Sequence, residues 1–237
     1  MNTELRNFSG ITTLSEGNSS SPFINNTVFL TGSAVTKLSY SHELFGESFY
    51  EFNLKVPRLS NQHDIIPLTI SERLLGERTI RPGEKIAIKG QFRSYNKIID
   101  DKSKLMLSVF VRDFADNPSE NPNVCELKGY ICKPPIYRTT PFNREICDLL
   151  LAVNRAYNKS DYIPCIAWGR NARFIRGIDV GAKLAITGRI QSREYIKKLS
   201  EEHSETRIAY ELSVNKIVLD ETTELDEVAA TITVQNS

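Results

Sequence analysis

Asp64-Ile65-Ile66-Pro67 returns as Asp161-Tyr162-Ile163-Pro164, and Gly83-Glu84-Lys85-Ile86-Ala87-Ile88-Lys89-Gly90 returns as Gly181-Ala182-Lys183-Leu184-Ala185-Ile186-Thr187-Gly188. The offsets are 97 (Pro67 to Pro164) and 98 (Gly90 to Gly188). A period near that length is too long for a solenoid unit and suits a duplicated small domain. The copies differ in one respect that bears on function. The second adds Tyr157, Tyr162, Trp168 and Tyr195, set among Arg155, Arg170, Arg189 and Arg193. Aromatic faces interleaved with cations offer bases a surface to stack on and phosphates a charge to meet, as a single nucleic-acid strand requires.

Working outward from the repeat, each copy reads as strands. β-branched and aromatic runs bounded by turn residues cover 28–36, 49–56, 65–70, 85–92 and 105–111. They return at 124–132, 146–153, 162–168, 183–191 and 208–218. Between the third and fourth strands lies a helix-compatible stretch, 72–75 before Gly76 and 171–176 before Gly177. Five strands with one short helix after the third is the order of an OB-fold. The expectation is an all-β chain of two tandem five-stranded OB-fold barrels, each with that short helix.

The domains expected are a flexible arm at 1–26, a first barrel at 27–116, a linker at 117–123, a second barrel at 124–219 and an acidic tail at 220–237. The arm is rich in Ser, Asn and Thr, and the linker carries Pro118 and Pro122. The net charge of +1 hides an uneven distribution. The tail has five acids and no base, while residues 124–219 have 16 bases against 10 acids. The cationic copy is therefore the aromatic one, and that coincidence lifts a modest basic patch above a merely solvated surface.

Alternation assigns faces. On the third strand of the second copy, Ile163, Cys165 and Ala167 point one way and Tyr162, Pro164, Ile166 and Trp168 the other, and both sets are largely apolar. On the fourth, Leu184, Ile186 and Ile190 point inward, and Lys183, Thr187, Arg189, Gln191 and Arg193 face outward or line the rim, with a register change near Gly188. A buried core would account for one or two of the rings but not the set.

Other chemistry finds no residues. Cys125, Cys132, Cys147 and Cys165 form no C-x-x-C pair and read as small buried side chains, and His42, His63 and His203 are scattered. No nucleophile elbow, phosphate-binding glycine loop or zinc-protease motif occurs. No enzyme, cofactor or metal site is expected. Apolar runs such as 149–153 are too short to span a bilayer, and the start lacks the regions of a signal peptide. A cytoplasmic protein with no membrane partner is the expectation.

Leu150-Leu151-Ala152-Val153-Asn154-Arg155-Ala156-Tyr157, Ile166-Ala167-Trp168-Gly169-Arg170-Asn171-Ala172 and 181–195 closely resemble bacterial single-stranded DNA-binding proteins. The resemblance covers roughly 124–219 and extends weakly to the first copy. It implies that Tyr157, Tyr162, Trp168 and Tyr195 stack on bases. Arg155, Arg170, Arg189 and Arg193, with Lys197 and Lys198, would meet phosphates. It further implies sequence-independent single-stranded DNA binding in replication, recombination or repair, and a homodimer presenting four barrels. Replication or repair proteins would be further partners. Two departures qualify the likeness. The first copy has Ile65, Ser71 and Lys97 where the rings would stand, and residues 231–237 lack the acidic-apolar tip through which family tails recruit partners. These leave two alternatives: a protein-interaction or replication-restart OB module, and an RNA-binding OB protein.

Overall fold

The computed structural model describes residues 25–99, 101–116, 121–198 and 204–220. The expected arm, most of the linker and nearly all of the acidic tail lie outside the described residues. Within them the first copy runs β1 (Asn26–Ala34), β2 (Ser39–Leu44), β3 (Glu47–Pro57), β4 (His63–Ser71), α1 (Glu72–Leu75), β5 (Lys85–Ile99) and β6 (Lys102–Phe114). The second runs β7 (Asn123–Ile131), β8 (Ile136–Thr139), β9 (Glu145–Arg155), β10 (Lys159–Trp168), α2 (Arg170–Ile175), β11 (Lys183–Lys198) and β12 (Ser204–Leu219).

Each copy closes into a five-stranded barrel. In the first, β1 pairs with both β3 and β5, β5 pairs with β6, and β3 pairs with β4. A short parallel contact between β4 and β6 at Leu68 and Val109 completes the ring. The second barrel repeats every pairing, including the parallel one at Cys165 and Leu212. The chain is two tandem OB-folds. Alternation fills their interiors: Val28, Leu30, Leu54, Ile66, Ile88 and Val109 are buried in one, and Leu127, Leu151, Ile163, Ile186, Ile190 and Leu212 in the other. Cys125, Cys147 and Cys165 are buried free thiols, and burial pushes each above the usual thiol range.

The expected register change is present between Thr187 and Gly188, and its counterpart lies between Lys89 and Gly90. These bulges bend the long fourth strand around the barrel. Backbone approaches there so closely that a Cβ on Gly90 would sit 2.6 Å from the carbonyl oxygen of Phe110. Gly188 meets the carbonyl of Ser213 more tightly still.

Three details depart from expectation. The short strands β2 and β8 add to the outer edges of β3 and β9. Their sequences, Ser39-Tyr40-Ser41-His42-Glu43-Leu44 and Ile136-Tyr137-Arg138-Thr139, lack apolar alternation because both strands are short and mostly exposed, although Tyr137 packs against the core. The hairpin strands β5 and β11 run on to Ile99 and Lys198, past the apolar run that sequence detects. Gln191, expected outward, is buried, its Nε2 donating to Glu211 Oε1 at 2.6 Å.

The barrels join edge to edge. β1 and β7 pair antiparallel, with Val28 opposite Cys125, its own counterpart at the 97-residue offset. The pairing therefore has an approximate two-fold axis through that residue pair, and all 12 strands form one sheet whose order reads the same from either end. One chain thus holds an arrangement like an isologous dimer interface.

Candidate nucleic-acid interface

The second barrel holds its rings outside. Tyr157 occupies the turn between β9 and β10, with Tyr157 and Asn158 both at positive φ (62° and 53°) and the ring 93% exposed. Positive φ is uncommon for a bulky residue and marks a position that the surrounding hairpin imposes. Tyr162 and Trp168 share the outward face of β10 and are 45% and 40% exposed, while Ile163, Cys165 and Ala167 between them point into the core. Ile166, on the same outward face, is buried. Tyr195 lies on β11, 37% exposed and opposite Arg207, with the Arg193 guanidinium 5.8 Å from its ring centre.

The expected cations fall into different environments. Arg170 opens α2 and is exposed. Arg193 Nε lies 3.6 Å from Glu211 Oε1. Arg155 reaches Asp161, Nε to Oδ2, at 3.5 Å. Arg189 crosses to the first barrel, where its Nη1 donates to Asp64 at 3.1 Å, and its Nη2 donates to Gln191 Oε1 at 2.9 Å. Burial lowers the Arg189 pKa, with Asp64 opposing. Lys197 and Lys198 pair through their backbones with Glu205 and Ser204 near the end of the β11–β12 hairpin.

The repeated aspartates, read from sequence only as part of the duplication, stitch the two barrels together. Asp64 Oδ1 accepts the Ser192 backbone N–H at 2.8 Å, and Arg58 clamps Asp64 through Nε and Nη2 at 2.8 and 2.6 Å. The mirror contact joins Asp161 Oδ1 to the Ser94 N–H at 2.8 Å, while the Ser94 hydroxyl accepts the Tyr162 N–H at 2.7 Å. The recurrence of Asp64 and Ser94 as Asp161 and Ser192 was the available signal. Knowing that it joins the barrels required the topology.

Residues 122–217 match the model of the single-strand binding protein family. The matched segment is the second barrel, from β7 to β12. Single-stranded DNA-binding protein 1 of Staphylococcus aureus (strain COL) is 34% identical over 76 residues, covering 29% of this chain and 46% of that protein. Its namesake in Lactococcus lactis is 36% identical over 76 residues, covering 29% and 51%. The chain thus spans about half the length of these relatives. The wild-type single-stranded DNA-binding protein of Thermus aquaticus superposes with a TM-score of 0.65 over 84% of this chain and 94% of that one. At 18% identity, that likeness speaks for the tandem fold. No helix among the described residues is long and apolar enough to cross a membrane.

Proposed function

We propose that the chain binds single-stranded DNA without regard to sequence and without catalysis, in replication, recombination or repair, chiefly through residues 124–219. Bases leave their own stack to lie on Tyr157, Tyr162, Trp168 and Tyr195, each stack contributing about 1–3 kcal/mol. Arg155, Arg170, Arg193, Lys197 and Lys198 neutralise phosphates, and Arg189 adds its charge from the joint between barrels. The observation that carries this reading is the joint exposure of the four rings on a barrel whose core is complete without them. A cytoplasmic homodimer of four barrels, acting with replication or repair proteins, completes the proposal.

Trp168 is the only tryptophan, so its emission reports directly on one predicted stack. Quenching on addition of a thymidine oligonucleotide, lost with Trp168→Ala, is the expected result. An unchanged spectrum at saturating oligonucleotide, with binding of a protein partner instead, would move the assignment to an interaction module. Tighter binding of uridine than thymidine oligonucleotides would move it to RNA.

A further inference from the structure

The first barrel lacks rings at the family positions but has its own set elsewhere. Phe110 of β6 lies beneath the guanidinium of Arg93, 4.2 Å from ring centre to Cζ. The buried Phe49 packs against Phe110 at 5.9 Å and carries exposed His42 stacked upon it, with centres 4.9 Å apart and planes 10° apart. Tyr95, 43% exposed, and Arg155 from the second barrel complete the walls of a groove of about 510 Å³.

The two-fold relation shows how the copies diverged here. The strand register equates Arg93 and Ser108 with Gln191 and Glu211. In the second barrel Gln191 bonds Glu211 at 2.6 Å, and Glu211 also faces Arg193, so that position is filled and neutralised. In the first barrel, serine replaces the glutamate. Arg93 keeps one bond, Nη2 to Gln91 at 2.6 Å, while its buried Nε has no hydrogen-bond partner among the described residues. The buried Oδ2 of Asp161, beside Arg155, is likewise without one. The buried Nε points in the guanidinium plane and would face no ligand, but a guanidinium stacked on a ring and lining a groove offers its other face to a flat group.

Resting on the function proposed above, we propose that this groove is a second nucleotide-binding site of different construction. It takes one base of the strand against His42, Tyr95 and the Arg93 plane, with the adjoining phosphate toward Arg155. Arg155 stands two residues from Tyr157, so a strand leaving the second barrel's rings meets the groove without crossing the joint's buried contacts. The first barrel then lengthens the footprint of each chain instead of serving only as an assembly scaffold.

The test compares the full chain with a His42→Ala/Tyr95→Ala double variant and with Arg93→Gln, which copies the residue found at 191. Thymidine oligonucleotides of about 8 and about 30 nucleotides, fitting one barrel and both, serve as probes. With the longer probe, affinity falls about tenfold in both variants, and the nucleotides occluded per chain shrink by about one barrel's share, 4–16. The short probe binds as before. A bromodeoxyuridine-substituted long probe crosslinks to the peptides bearing His42 or Tyr95. Unaltered long-probe affinity and footprint would overturn the groove while leaving the second barrel's role intact. Failure of the native chain to bind either probe would overturn both.

Discussion

Asp161 holds the Ser94 backbone N–H across the barrel joint with one carboxylate oxygen and leaves its other oxygen, buried, 3.5 Å from Arg155. Its counterpart Asp64 has no such slack, because Arg58, Arg189 and Ser192 together engage both of its oxygens. The two halves of a near-symmetric joint are therefore unequally tied. The loose half is the one that borders the proposed DNA path.

Substitution separates the two halves. Asp64→Ala strands two guanidiniums that are only 28% and 30% exposed, together with a backbone donor, and should cost about 3 kcal/mol. That is the lower end for a broken buried pair, since water reaches both arginines. Asp161→Ala removes one hydrogen bond and a distant ion contact and should cost about 1 kcal/mol. Urea titrations of the two variants would measure the difference, and equal losses would contradict the asymmetry.

The same slack has a pH signature. Burial raises the Asp161 carboxyl above its ordinary 3.8, while the Ser94 N–H, Arg155 and Arg93 oppose the rise. A carboxyl that is easier to protonate folded than unfolded contributes stability below its unfolded pKa and loses that contribution as pH rises through the folded value. Relative to Asp161→Asn, the native chain should therefore lose stability from pH 3.8 upward through the raised value. Denaturation of both proteins across the acid range reads the sign directly, and a native chain gaining stability over that interval would contradict it.

The arginines should part company in salt titrations. Arg170 is exposed at the start of α2, so Arg170→Gln should leave stability alone and reduce the slope of log affinity against log salt by about 0.7, one phosphate's worth. Arg189 also anchors Asp64, so Arg189→Gln should lower the melting temperature as well as affinity. Identical behaviour of the two variants would mean that the joint and the binding face are not distinct.

Most of the barrel architecture was legible, because apolar alternation in Val28 to Leu30 or Ile163 to Ala167 is dictated by burial on one face only. The outward rings were legible for the same reason. What escaped shares one cause: its partners are distant in sequence. β2 and β8 are short and mostly exposed and so imprint no pattern, Gln191 reads as polar until Glu211 is seen beside it, and Arg93 becomes notable only over Phe110. That Arg189 also ties the barrels together escaped because its acidic partner lies 125 residues away.

Tyr157 offers the sharpest separation of folding from binding. Its ring is 93% exposed and its φ of 62° is one that glycine adopts without penalty, so the side chain gives the fold little and burdens the turn. Tyr157→Gly should raise stability by about 0.5–1 kcal/mol, the strain relieved exceeding the added freedom of the unfolded chain. The same change should weaken oligonucleotide binding by about 1–3 kcal/mol if a base stacks there. Thermal melts and a binding titration on one variant therefore move in opposite directions. A destabilised protein with unchanged affinity would mean that the tyrosine serves the turn rather than the strand it is proposed to hold.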